Sequence, residues 1–332
     1  MALNKILNTI VKVFLPLLLG ILLLWFLYRD MDFGEILEVI QKGVRYDIIF
    51  VSLLFGLAAN IIRGYRWGLL IGTLGERFKM RNLIYAVLGN YAINFVLPRV
   101  GEVWRCGIIT KYEKISFPKL IGTLLIDRLA DTVSVGLLAL FVFTFHFGFF
   151  KHFLARNPEL MHAFSSDTHA LWIGGIFLIL AAAVWFTFTR LNHFSLVQKA
   201  KGLLSNVWEG MKSIARMKHK GLFMLQTLLI WTFYFFFFYI TFYAFDFTRS
   251  LGANAGLIAF TMSSIGVAVP IQGGIGPWHF MVIASLMCFG VRDTDAAAFA
   301  LVVHSVQSIW TALCGLFGII ALPIGNSKAS PR

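Results

Sequence analysis

The 332-residue chain is 58% hydrophobic and only 14% charged, with a mean hydropathy of +0.78. That composition excludes an ordinary soluble domain and predicts an all-α polytopic membrane protein. A formal net charge of +13 would point a soluble protein toward nucleic acid, but in a membrane chain it reports basic connections on one face, so no nucleic-acid partner is expected.

Residues 13–28 form the first predicted span. Lys5 and Lys12 precede it and no small-residue cleavage site follows, so it reads as a retained helix rather than a signal peptide. Residues 29–47 are net acidic. Residues 48–74 span and carry Arg63 and Arg66 one turn apart on one face, with Asn60 a turn earlier. Arg66, beside Trp67, is placed to snorkel toward headgroups, whereas Arg63 lies deeper. After the basic connection of Arg77, Lys79 and Arg81 comes an almost uncharged stretch, 83–97, about long enough to cross most of a bilayer core. Pro98 then interrupts it, removing a backbone donor and biasing Leu97 away from helical geometry. Gly101 offers a position without a Cβ, and Arg99, Glu102 and Arg105 follow at once. Charge and irregular backbone at membrane depth are tolerated only inside protein or against a watery cavity. A short apolar piece, 103–110, ends at Lys111, Lys114 and Lys119. Residues 120–145 span and contain Asp127, Arg128 and Asp131. The two acids lie on one face at i, i+4 and are expected to pair with arginines elsewhere; Arg99 or Arg105 is the local candidate partner for Glu102.

Residues 146–169 are polar, with histidines at 146, 152, 162 and 169 that lack zinc spacing. A span at 171–189 leads into a very basic stretch whose apolar residues recur at helical spacing. It predicts an amphipathic helix over about 193–220, lying on anionic lipid. Residues 222–245 span; Phe233 and the phenylalanine run 235–238 are read as packing. A second broken segment follows: 255–269, then Pro270, then Gly273, Gly274 and Gly276, then 277–289. Those glycines suit either an anion held by free amides or a tight hairpin tip. The last span, 296–322, includes His304 and Gln307, read with His279 as interior polar groups. Cys106, Cys288 and Cys314 show no metal-ligand spacing, so neither a metal nor another cofactor is expected.

Loop charge then orients the spans. If each broken segment is a re-entrant hairpin (about 83–111 and 255–289) and both termini are cytoplasmic, every short basic connection falls inside. That predicts about six spanning helices plus two hairpins. Each half, 1–168 and 169–332, holds three crossings, so the halves form an inverted repeat. Pro98-Arg99-Val100-Gly101 and Pro270-Ile271-Gln272-Gly273 then occupy matching places, the sequence-level pointer to a transporter's binding site. A count in which both pieces flanking each break cross the membrane keeps the same loop sides and stays open.

Taken together, Arg63/Arg66/Trp67, Asn94/Pro98/Arg99/Gly101/Glu102/Arg105, Asp127/Arg128/Asp131 and Pro270/Gly273/Gly274/Gly276 resemble the flippase-like membrane family. It is also called the lysylphosphatidylglycerol synthase transmembrane region, and the likeness covers about residues 10–320. The resemblance implies kinship with the flippase half of the multiple peptide resistance factor, which moves aminoacylated phosphatidylglycerol between leaflets; archaeal relatives are linked to lipid-linked sugar pathways. Many relatives carry an acid shortly after the glycine motif, where this chain has Trp278 and His279. The aminoacyl-transferring domain is not among these residues, so lipid synthesis is not implied. The expectation is a bacterial inner-membrane lipid flippase holding an anionic headgroup on these arginines, with the glycine tip closing the site and the acids as counter-charges. The competing readings are a membrane enzyme acting on a lipid or polyprenyl phosphate, and a non-transporting subunit of an envelope-assembly machine.

Overall fold

The computed structural model describes residues 18–29, 31–97, 99–156, 217–269 and 271–327. Outside the described residues lie Pro98 and Pro270, the start of the first predicted span, the predicted span at 171–189, nearly all of the predicted amphipathic helix over 193–220, and the proposed division near 168. The chain divides into two compact units, Met1–Phe145 with Gly221–Arg332, and His146–Lys220. In the second, the described residues form one helix, Phe147–Arg156, along which Phe149 stacks toward Phe153 at 5.8 Å.

Every regular element among the described residues is helical. In the larger unit these are α1 (Leu18–Tyr28), α2 (Phe33–Lys42), α3 (Tyr46–Gly72), α4 (Met80–Val96), α5 (Val100–Glu113) and α6 (Phe117–Phe145). Phe147–Arg156 of the smaller unit is α7. Then come α8 (Lys220–Tyr239), α9 (Gly252–Ala268), α10 (Pro277–Cys288) and α11 (Asp293–Asn326). Tyr46–Gly72, Phe117–Phe145, Lys220–Ala244 and Asp293–Asn326 are long and apolar enough to cross a membrane. The protein is an all-α polytopic membrane protein.

The net acidic stretch predicted only as a loop contains α2. Asp32 caps it, accepting hydrogen bonds from the backbone N–H of Gly34 at 2.7 Å and Glu35 at 3.4 Å. Ile36 and the facing aliphatics bury against α11, which explains why so charged a segment is ordered.

Both breaks form where proline and glycine punctuate the sequence. Leu97 leaves α4 in an extended conformation and Arg99 enters α5 left-handed, at φ 63°. α4 and α5 then pack against each other, as do α9 and α10. α4 has 17 residues and α5 has 14, or about 25 and 21 Å at the α-helical rise, each short of a hydrocarbon core about 30 Å thick. α9 and α10, at 17 and 12 residues, are no longer. Gln272–Gly274 makes a single turn between them.

Packing joins elements far apart in the sequence. α4 lies along α11, and α9 lies against α6, so each broken pair seats on a span distant from it in the sequence. The α4–α11 seam depends on small residues: a Cβ on Gly315 would stand 2.5 Å from the Cβ of Ala92, and one on Gly318 would stand 2.6 Å from the Tyr85 carbonyl oxygen. The predicted phenylalanine packing is borne out, with Phe238 buried against Phe242, Phe260, Trp278 and Phe299.

Candidate functional site

α3, α5 and α6 pack together, partly through α4, and their charged residues meet. On α3, positions 60, 63 and 67 share one face by helical spacing, with Arg66 beside them. The i, i+4 spacing of Asp127 and Asp131 lets both acids face that stripe.

Arg66 is the centre. It is fully buried, against the expectation that it snorkels, because α6 and α8 close over it. Its Nε and Nη2 donate to Asp127 Oδ1 at 3.0 and 2.7 Å, Nη2 also reaches Asp131 Oδ1 at 2.7 Å, and Nη1 donates to Thr227 Oγ1 at 3.2 Å. The second oxygen of Asp127 accepts from Arg105 Nη2 at 2.9 Å and faces Arg128 Nη2 at 3.5 Å. The second oxygen of Asp131 accepts from Arg63 Nη1 and lies 3.6 Å from Arg128 Nη1. Glu102, at 3.4 Å from Arg128 Nη1, is the third carboxylate. Both aspartates are thus shared among guanidinium groups, the condition under which buried charge is tolerable.

The cluster is dry at one end and open at the other. Side chains of Arg66, Arg105 and Asp127 are 0% exposed, while Arg128 is 31%, Glu102 26% and Asp131 13% exposed. Aromatic rings support the arginines: the Arg105 guanidinium carbon lies 4.6 Å from the Trp67 ring centre, and that of Arg63 lies 5.7 Å from Tyr234. Tyr234 donates to Asn60 Oδ1 at 2.7 Å and meets the Tyr91 hydroxyl at 3.0 Å. Four arginines face three carboxylates in these contacts, which leaves one net positive charge. Four buried guanidinium nitrogens, Arg63 Nε, Arg105 Nε and Nη1, and Arg128 Nε, have no acceptor among the described residues. They donate only, so what suits them is an anion or water.

The structure therefore brings together Arg63, Arg66, Glu102, Arg105, Asp127, Arg128 and Asp131 from the predicted set. Arg99 is not among them. It stands exposed at the break, and Glu102, three residues into α5, turns to Arg128 on α6 instead of to Arg99 or Arg105. Asn94 holds the turn: its Oδ1 accepts from Gly101 N at 2.9 Å, and a Cβ on Gly101 would fall 2.1 Å from the Asn90 carbonyl oxygen. Gly273, Gly274 and Gly276 have φ of 60°, 74° and 94°, as a tight tip demands. The space a side chain would need there is filled by Phe95, Val267 and Leu23, apolar groups rather than arginines. The Gly273 carbonyl accepts instead from His304 Nε2 at 2.9 Å. Thr227, Tyr234 and Tyr91 were missed; a threonine and two tyrosines in apolar, aromatic-rich helices carry no signal of their own.

A family model described as lysylphosphatidylglycerol synthase TM region matches residues 13–315. The chain belongs to this family. Among curated proteins, none matches the chain. The match to the lysylphosphatidylglycerol synthase TM region contains all seven charged cluster residues and both breaks. As a member of the lysylphosphatidylglycerol synthase TM region family, the chain is a multi-pass membrane protein of a family named for lipid chemistry.

Proposed function

We propose that the protein moves an anionic lipid between the leaflets of the bacterial inner membrane, holding the headgroup at the arginine cluster with both termini in the cytoplasm. One observation carries this reading: four buried guanidinium nitrogens lack an acceptor among the described residues, in a cluster with one excess positive charge. A lipid headgroup supplies the acceptor and the charge, while its acyl chains stay in hydrocarbon. Asp127, Asp131 and Glu102 keep the empty site near balance. Arg128 is the entry residue. It is the most exposed of the four arginines and meets three carboxylates at 3.4–3.6 Å, longer than the 2.7–3.0 Å bonds that fix Arg66 to its aspartates. The hairpins, each seated on the other half, give the motion two bodies to rock.

The test is reconstitution. The purified full chain in liposomes is expected to redistribute a labelled anionic lipid between leaflets and leave its mass unchanged. Arg63→Ala and Arg105→Ala should each slow the exchange. A mass change in the lipid replaces transport with the enzyme reading, and no redistribution across glycerophosphate, aminoacylated and polyprenyl-phosphate lipids removes the transport reading.

A further inference from the structure

We infer that the cluster selects a headgroup with a single negative charge, a phosphodiester, over a doubly charged phosphomonoester, and that Glu102 sets this preference. The inference rests on reading the cluster as the headgroup site.

Charge is the first support. Arg63, Arg66, Arg105 and Arg128 face Asp127, Asp131 and Glu102, so one positive charge is unmatched. A monoanion brings the occupied site to neutrality. A dianion leaves a buried negative charge, which a low-dielectric interior penalises. Donor number is the second. The unpaired donors among the described residues are four guanidinium nitrogens, of which Arg105 Nη1 carries two hydrogens, enough to saturate the two non-ester oxygens of a phosphodiester, whereas a phosphomonoester presents three acceptor oxygens and about −1.5 to −2 charge at neutral pH. Convergence is the third. Arg105 and Arg128 meet at one oxygen of Asp127, and Arg63 and Arg128 meet at one oxygen of Asp131, so Arg128 stands between the other two donors.

Glu102 is the loosest counter-charge in the cluster: its one ion pair among the described residues is at 3.4 Å, and it is 26% exposed. Asp127 is bound at both oxygens and fully buried. Glu102 is therefore the carboxylate whose loss raises the site's charge without dismantling its floor.

Binding is measured on the full chain in detergent at pH 8, as the shift in melting temperature with short-chain phosphatidylglycerol (a diester) or short-chain phosphatidic acid (a monoester). Leaflet exchange of labelled versions of the same two lipids is measured in phosphatidylcholine vesicles. The wild-type protein is expected to bind the diester more tightly, on the order of tenfold for one unbalanced charge in a partly screened site. Glu102→Gln should narrow or reverse that ratio, and Arg128→Gln should weaken both lipids. Equal binding, tighter binding of the monoester, or no shift with either lipid overturns the inference, and the wild-type protein alone suffices for that test if a variant fails to fold. Diester binding without leaflet exchange overturns transport and leaves the selectivity standing.

Discussion

Asp127 accepts from two buried arginines and faces a third, so its charge belongs to the cluster as a whole. Replacing it with asparagine keeps the shape, strands Arg105 without a counter-charge and leaves Arg66 with Asp131 alone. The expected cost is about 3–5 kcal/mol, the range for breaking a buried pair, read as a large fall in melting temperature or failure to accumulate. Arg99→Ala is the control. Its side chain is exposed and forms no ion pair with a described residue, so the melt should not move beyond the small range of surface substitutions; a drop as large as that of Asp127→Asn would show that Arg99 is held by something else. Tyr234→Phe removes one hydroxyl from the chain joining Asn60 to Tyr91. Leaving the Asn60 oxygen unsatisfied should cost about 1–3 kcal/mol, and a double-mutant cycle with Tyr91→Phe should give less than the sum of the two single losses, since both changes break the same bond.

The elements turn on two bends, and the first is the more tightly specified. A methyl group at Gly101 would collide with the Asn90 carbonyl, part of the backbone of the facing helix and unable to swing away. Gly101→Ala should therefore cost at least the 1–3 kcal/mol typical of overpacking. Gly107, on the same helix, has nothing within 4 Å of a built Cβ, so Gly107→Ala should gain about 0.5–1 kcal/mol from helix propensity alone. Opposite signs in melting temperature for two glycines six positions apart would bear out the bend; equal effects would not. The bends were legible because proline and glycine act locally: Pro98 with Gly101, and Pro270 with Gly273, stop a helix whatever surrounds them. The i, i+4 spacing of Asp127 and Asp131 was legible for the same reason, and pairing with arginines followed from burial. Which acid meets which arginine was not legible. That depends on how α5 and α6 are rotated about their axes, and Glu102 turns to Arg128 rather than to a neighbour in sequence. Thr227 and Tyr234 arrive from a helix about a hundred residues or more further along the chain from the nearest other charged member, Asp131, a relation no local pattern records.

At the scale of the whole molecule, the element order repeats: α3, a broken pair and α6 in the first half; α8, a broken pair and α11 in the second. If the halves are inverted, as loop charge predicts, the ends of the two hairpins face opposite sides of the membrane. Lys114, just past α5, and Asp293, just past the loop after α10, are both exposed. In a chain with its three cysteines replaced, a cysteine at 293 should react with an impermeant reagent on intact cells and one at 114 should be protected; labelling of both from outside would sink the inverted arrangement. Hairpin exchange also has a consequence for synthesis. At the base of the first hairpin, the amide of Asn82 binds Glu113 and trades hydrogen bonds with Asn326, a residue 244 positions away. Arg81 reaches the Gly325 carbonyl oxygen at 2.5 Å. A ribosome that has made the first hairpin must therefore add almost all the remaining residues before the clasp can close. Until then the face of α4 that awaits Gly315 and Gly318 has no seat. A chain that stalls short of α11 leaves that face and those amides open, so it is expected to be degraded faster than the full-length protein. Conversely, the halves expressed as separate polypeptides are expected to protect each other from degradation.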